Sequence, residues 1–303
     1  MDIKQLTALI AVAESGSFSA AARAMHTVQS NVSTHIARLE RELGAPLVDR
    51  ATGALTDEGQ VVADRARHIQ VEMAAIAADV AALRDEVTGA VRVGCIGTVG
   101  RWLVPLIFER VMDEYPRIQL VVVDATTSSL VPQLLSDSLD LAVINMPLTD
   151  PDISTELLFE EDHLVIVPRG HELDGRSSVT LEETAEYDLL LEPKGTSFRD
   201  ELDAAADHAG VTLRPLAEVD GLRLIATLAF QGFGAAIIPA TAAPPTLEGT
   251  WHRVPVTGLA RRGVGLAQRR RGLPSAPSRA LRQVIGQIVS DRAEHVEGVH
   301  PVV

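Results

Sequence analysis

One cysteine, Cys95, stands in a chain of 303 residues. An internal disulfide, a cysteine-rich zinc site and a two-cysteine redox switch each need more thiols than that, so all three are excluded. Such sparing use of cysteine points to a reducing compartment, the cytoplasm. Aromatic residues are also scarce, at 3%. The core must then be built from Leu, Val, Ile and Ala, and general stacking of aromatics on single-stranded nucleic acid is not expected. Positive charge is in deficit, with 27 Lys and Arg against 41 Asp and Glu, a net charge of -14. A chain this acidic is no bulk binder of polyanions, and any contact with DNA must be local. A secretion signal is not apparent either: the apolar stretch 6–13 follows Asp2, with Lys4 its one preceding basic residue. The uncharged run 224–247 is long enough to span a bilayer. It is interrupted by Gln231, Gly232, Gly234, Pro239, Pro244 and Pro245, which suit a helix, a glycine turn and a buried strand. No membrane partner is expected.

What the chain does have is a large apolar fraction, 46%, which rules out wholesale disorder. Its length fits about two domains. Charge divides it unevenly. Residues 1–88 carry a net -4, residues 89–252 a net -16 and residues 253–303 a net +6.

The N-terminal stretch reads as helices. Ile3, Leu6, Ile10 and Ala13 recur at helical spacing, with Asp2 and Gln5 as a capping box and Gly16 as the stop. Ser17 caps the next helix, 18–25, whose Ala20, Ala21 and Ala22 let a neighbour approach closely. Thr27 is the expected cap of a third, running through Val32, Ile36 and Leu39 towards Gly44. Two short helices joined by a tight turn make a helix-turn-helix. Residues 59–87 then read as one long helix. Ala66, Ile69, Met73, Ile76, Val80, Leu83 and Val87 alternate spacings of three and four, a heptad seam. Nothing apolar adjacent in sequence is free to cover that seam, which favours a dimer contact over packing within one chain.

From residue 90 onward strands and helices alternate. Strand-like runs fall at 91–95, 118–123, 141–144, 164–167, 188–191 and 235–238, with further strands at 253–256 and 263–267. Helical runs fall at 103–114, 130–136, 198–209, 222–230 and 279–290. This is an α/β pattern with a mainly parallel sheet, whose ligands bind at strand carboxyl ends. The tail after Arg292 is expected to fray.

With these elements in order the sequence resembles the LysR-type transcriptional regulators. The specific part is N-terminal: Gly16-Ser17-Phe18, Ala20-Ala21-Ala22, Val28 to Ser33, Leu39-Glu40, Leu43-Gly44, Pro46-Leu47, Arg50 and Leu55-Thr56…Gly59. A weaker part follows in the right order: Gly94…Pro105, Tyr115-Pro116, Leu139 to Ala142 and Gly232-Phe233-Gly234…Pro239. The resemblance implies a winged helix-turn-helix over residues 1–58, a linker and dimerisation helix over 59–89, and a two-lobed α/β effector domain over 90–303 shaped like a periplasmic binding protein. It implies double-stranded operator DNA, a small-molecule effector and a second copy of the chain, as homodimer or homotetramer, as partners. No cofactor, metal or catalytic activity is implied.

In such a protein the third helix enters the major groove. Its forward face offers Gln29, Ser30, Asn31, Ser33, Thr34, His35 and Arg38, while Arg23 and Arg50 are the added phosphate candidates. A polar helix face is common in any protein, so the helix-turn-helix spacing and the resemblance carry this assignment. Arg50 can equally pair with Asp49 or Glu42. The wing is short and uncharged, Ala51-Thr52-Gly53-Ala54, which predicts fewer phosphate contacts and a shallower salt dependence. In the effector domain the matching ligand positions are Thr98, Val99, Thr126, Thr127, Asn145, Lys194, Gly195, Thr196, Ser197 and Phe233. Thr98 and Thr127 also qualify as plain helix caps. An arginine near position 145 is missing, which argues against a strongly anionic effector unless Lys194 or Arg199 substitutes.

Other chemistry has little support. Gly94, Gly97 and Gly100 are not a dinucleotide fingerprint, no Gly-x-Ser-x-Gly elbow occurs, and the nine histidines show no metal spacing. Cys95, in mid-strand, is expected to be a buried, inert thiol. Arg269-Arg270-Arg271 is expected to end a surface strand. The alternative is a solute-binding protein of transport type, against which the N-terminal helices argue.

Overall fold

Asp2 and Gln5 close the first turn, each side chain accepting the other's backbone N–H at 2.9 Å. This reciprocal cap starts α1, Ile3–Ser15, and Gly16 ends it in the left-handed region at φ 68°. Ser17 Oγ accepts the Ala20 N–H and starts α2, Phe18–Ala24. The computed structural model describes residues 1–84, 86–243 and 247–302, in two units, Met1–Val80 and Ala81–Val303. In the first unit α3 follows as Gln29–Leu43. Its cap is Val28, which offers no side-chain oxygen; Thr27 instead accepts Asn31 Nδ2 at 3.0 Å, one residue out of phase for the expected cap. Val32, Ile36 and Leu39 bury one stripe of α3 against α1 and α2.

Val48 bridges Leu55 to form the wing. The long helix α4 is Asp57–Ala82 rather than 59–87. Thr56 Oγ1 accepts the Gly59 N–H, an N-terminal cap that the periodicity did not register. Gly59 must lack a side chain, because a Cβ there would overlap the Leu47 carbonyl. At the far end the N–H of Arg84 turns back to the Ala81 carbonyl, so Leu83 and Val87 lie beyond the helix and Asp85 lies outside the described residues. Ala66 at the start of the seam is buried, while Ile69, Met73, Ile76 and Val80 are exposed, Ile76 at 65%.

The second unit runs β1 Gly89–Cys95, α5 Gly97–Glu114, β2 Ile118–Asp124, α6 Thr127–Leu135, β3 Leu141–Met146, β4 Ile153–Glu161, β5 His163–Pro168, β6 Val179–Thr180, α7 Leu181–Thr184, β7 Asp188–Leu191, α8 Ser197–Ala209, β8 Arg214–Glu218, α9 Leu222–Phe230, β9 Ala236–Pro239, a 3-10 turn Ala240–Ala242, β10 Trp251–Thr257, β11 Arg262–Arg269, α10 Ala276–Arg292, a second 3-10 turn Ala293–His295 and β12 Val299–Pro301. One lobe is a sheet in the order β12-β4-β11-β3-β1-β2. The other holds a sheet in the order β6-β10-β5-β9 and the pair β7-β8.

The sheets are mixed, not mainly parallel. Only β1 with its neighbours β2 and β3 is parallel in the first lobe; β11, β4 and β12 join antiparallel. The missed β4 spans Ile153–Glu161, whose acidic residues concealed a strand with one half-buried face. Nor do residues 293–302 fray. β12 pairs with β4, and His300 Nε2 meets Asp162 Oδ2 at 2.8 Å. The run 224–247 resolves into the end of α9, a glycine turn and β9, with Pro244 and Pro245 outside the described residues. Among the described residues no helix is long and apolar enough to cross a membrane.

Candidate functional site

In the N-terminal unit, burial of Val32, Ile36 and Leu39 turns the opposite side of α3 outward. Gln29, Ser30, Asn31, Thr34 and Arg38 are exposed, as are Arg23 on α2 and Arg50 at the wing, while Ser33 and His35 are half-buried. Some of these side chains are held. Gln29 Oε1 accepts the Ser19 hydroxyl at 2.9 Å, and Thr34 Oγ1 donates back to the Ser30 carbonyl at 2.7 Å. Arg50 pairs with neither Asp49 nor Glu42. Its Nη2 donates to Glu40 Oε2 at 2.6 Å, and its guanidinium lies 5.0 Å from the Phe18 ring centre. The other Glu40 oxygen accepts the N–H of Leu47 and Val48, so one carboxylate ties α3 to the wing. Asp49 is spent within the wing turn on the N–H groups of Ala51 and Thr52, which hold its carboxyl below the usual range.

In the second unit a cavity of about 760 Å³ lies between the lobes. Thr98, Thr126, Thr127 and Asn145 line it from the first lobe, and Gly195, Thr196 and Ser197 from the second. Three expected members fall elsewhere. Val99 turns into the lobe core, Phe233 points outward at 64% exposure, and Lys194 is an exposed loop residue off the lining. The two threonines are not helix caps. Thr127 Oγ1 accepts the Asn145 N–H at 3.1 Å, and Thr98 Oγ1 accepts Arg262 Nη2 at 2.9 Å. Gly97 keeps the wall thin, because a Cβ there would lie 2.8 Å from Asp124 Oδ1 and 2.5 Å from Arg223 Cδ.

The periodicity reading missed the charged part of the lining: Asp124, Glu192, Asp220, Arg223 and Arg262. Arg223 of α9 is ion-paired to Asp124 at the end of β2, a bond from lobe to lobe. Arg262 starts β11 and is 7% exposed. Its Nε and Nη2 donate to Glu161 Oε1 at 2.9 and 2.5 Å. Glu161 is fully buried, and its second oxygen accepts both the N–H and the hydroxyl of Thr241 at 2.8 Å. Glu161 ends β4 just where the chain crosses to the second lobe, and Arg262 begins the strand on which it returns. One carboxylate therefore joins both crossings and, through Arg262, the Thr98 hydroxyl in the cavity. Arg199, the other candidate cation for an anionic effector, is committed inside the fold. It is 2% exposed and donates to Asp203 at 2.9 Å and to the Glu192 carbonyl at 2.9 Å.

His163 sits beside this knot, at 6% exposure, stacked on Phe198 with ring centres 5.6 Å apart. Burial, with Arg262 nearby, pushes its pKa down to about 4. Cys95 is buried at the end of β1, and burial pushes its thiol up to about 12. No cluster of metal-binding side chains occurs among the described residues.

Comparison with known proteins fits both regions. The profile of the bacterial regulatory helix-turn-helix protein, lysR family, matches residues 3–60, and that of the LysR substrate binding domain matches residues 84–289. A probable hydrogen peroxide-inducible genes activator of Mycobacterium leprae is 31% identical over 296 residues, covering 95% of this chain and 94% of that one. A protein of the same description from Streptomyces viridosporus is 33% identical over 243 residues, 79% of this chain and 78% of its own. Among solved structures, full-length CbnR complexed with its target DNA superposes with a TM-score of 0.70 at 26% identity, covering 95% of this chain and all of that one, 100%. Full-length OxyR from Pseudomonas aeruginosa shares the fold, with a TM-score of 0.72 at 24% identity over 95% of this chain and 94% of that chain. The protein is a DNA-binding transcription regulator of the LysR family.

Proposed function

We propose that the exposed face of α3 reads operator DNA and that the interlobe cavity binds a small-molecule effector, which sets the regulator's activity. Gln29 and Asn31 suit adenine edges, Arg38 suits guanine or phosphate, and Ser30, Ser33, Thr34 and His35 complete the face. Arg23 contacts phosphate, while Arg50, held by Glu40, braces the wing and α3. The effector domain spans residues 90–303, the linker segment that contains most of α4 spans 59–89, and the DNA-binding domain spans 1–58. Copies pair through the exposed apolar seam of α4, and further contacts between effector domains build a tetramer. The protein works in the cytoplasm.

The observation that carries the effector reading is the 760 Å³ cavity together with the buried path from Thr98 through Arg262 to Glu161 at the lobe crossings. A ligand that meets the Thr98 hydroxyl touches a group bonded directly to that knot. Its unequal affinity for more open and more closed lobes then shifts their balance. Peroxide sensing through thiol chemistry has no support in this chain. Cys95 has no second thiol with which to form a disulfide, and burial disfavours the thiolate that oxidation requires. DNase footprinting on the promoter beside its own gene, with and without pooled metabolites, tests the reading. A protected operator whose footprint changes with a metabolite is expected. A footprint that changes with peroxide alone would contradict the reading.

A further inference from the structure

Two of the side chains on the exposed face of α3 are amides, and they are held by opposite ends. The Ser19 hydroxyl of α2 donates to Gln29 Oε1 at 2.9 Å, whereas Asn31 Nδ2 donates to the Thr27 hydroxyl at 3.0 Å. The oxygen of an amide accepts, its nitrogen donates, and the two ends are close in size and shape. A free surface amide can therefore turn either end to a base. These two cannot do so without giving up a hydrogen bond. Gln29, tied by its oxygen, keeps the N–H groups of Nε2 to offer. Asn31, tied by its nitrogen, keeps Oδ1 to offer. Both side chains are exposed.

The anchors are themselves fixed. Ser19 lies in the first turn of α2, which Ser17 caps. Thr27 closes the turn between the two helices, its N–H donating to the Ala22 carbonyl at 2.9 Å, and His26 before it takes the left-handed conformation at φ 51°. Gln29 and Asn31 are the first and third residues of α3, at the end of a recognition helix that meets base edges.

Resting on the reading of α3 above, we propose that Ser19 and Thr27 are positioning residues for operator recognition, Ser19 setting Gln29 to donate and Thr27 setting Asn31 to accept. Gln29 Nε2 then meets the N7 acceptor of one adenine, and Asn31 Oδ1 meets the N6 amine of another. Neither anchor touches a base; each acts by orienting the side chain that does. Guanine is tolerated at the first position, because it keeps N7. At the second it turns the acceptor O6 towards Asn31 Oδ1 and is rejected.

The test uses the full chain and the operator duplex defined by footprinting, in competition mobility shifts. Each adenine is replaced in turn by 7-deaza-adenine, which lacks the N7 acceptor, or by unsubstituted purine, which lacks the N6 amine. With the wild type, 7-deaza-adenine at one position and purine at another are each expected to weaken binding by about two- to tenfold. Gln29→Ala is expected to abolish the first penalty alone, and Asn31→Ala the second alone. Ser19→Ala is expected to shrink the first penalty and Ser19→Thr to restore it. Thr27→Val is expected to shrink the second and Thr27→Ser to restore it. Affinity for unrelated DNA is expected to stay at the wild-type value in all four anchor variants, which a phosphate contact or a damaged fold would not allow. A penalty that keeps its full size when its anchor is lost would overturn that anchor's role, and an equal loss on unrelated DNA would do the same, with α3 still reading the operator. Penalties that survive unchanged in Gln29→Ala and Asn31→Ala, or that are missing from the wild type, would overturn the reading of these two side chains and this inference with it.

Discussion

Arg23 and Arg38 stand exposed on the N-terminal unit with no ion-pair partner among the described residues. Arg199 and Arg262 of the effector unit are almost wholly buried, each held by carboxylates. The contrast is between charge kept for a partner and charge spent inside the fold. Free cations over a polar helix face suit a polyanion, whose phosphates displace counterions and reward every unpaired arginine. Spent cations suit a hinge, where a buried pair fixes one arrangement of segments that meet from distant parts of the chain. The net charge of -14 is then no obstacle to binding DNA, because the cations that matter are the few left unpaired on one surface.

The sharpest way to break this contrast is at the knot. Glu161→Gln leaves the Arg262 charge buried without a counter-charge, and removing one partner of a buried pair costs about 3–5 kcal/mol. Urea unfolding followed by circular dichroism is expected to show the effector unit lost at much lower urea, with the helices of the N-terminal unit melting near their original midpoint. An unchanged effector-unit midpoint would mean that the pair is not a tie. His163 sharpens the same point through pH. Its folded-state pKa of about 4 lies below the ordinary 6.5. The unfolded chain therefore binds the proton more readily, so the stability this group permits is complete above about pH 6.5 and is lost as pH falls towards 4. At about 1.4 kcal/mol per pH unit the loss reaches roughly 3 kcal/mol. His163→Phe is expected to flatten the midpoint between pH 7 and pH 4.

On the other side of the comparison the effects are smaller. Gln29→Ala and Ser33→Ala are each expected to lower affinity for the specific operator by about 1–3 kcal/mol in mobility shifts, with little change on unrelated DNA. Arg38→Ala is expected to weaken both and to reduce the salt slope by about 1 if it meets a phosphate. The smallest effect belongs to Cys95. Its buried thiol is expected to stay unlabelled by a disulfide reagent in the folded chain and to react fully in denaturant.

How much was legible follows from how each region is assembled. The face of α3 comes from one contiguous stretch. Val32, Ile36 and Leu39 fix its inward side, and the outward side follows from helical phase alone, which is why the candidate residues cluster there. The cavity is gathered from segments between Ile96 and Arg262. Polar residues at or just after the carboxyl ends of strands, such as Thr98, Thr127 and Asn145, could be found because strand ends line such a cleft. Arg262 and Glu161 could not, since their pairing depends on the register of β11 against β4, a contact across 101 residues. Lys194 and Phe233 were misplaced for a related reason: a loop signal in sequence locates a turn but not which way its side chains face. The end of α4 was overrun because apolar spacing continues through Leu83 and Val87 after the backbone has already turned at Ala81.

The central claim is that a ligand in the cavity controls DNA binding through Thr98, Arg262 and the lobe crossings. It is tested most directly by Thr98→Val, measured by operator footprinting with and without a ligand that stabilises the wild-type chain. Losing that hydroxyl removes a ligand contact and unpairs one Arg262 N–H, together about 1–3 kcal/mol. The account predicts that ligand-free operator binding stays near that of the wild type while the ligand no longer changes the footprint. An undiminished response at the same ligand concentration would contradict it.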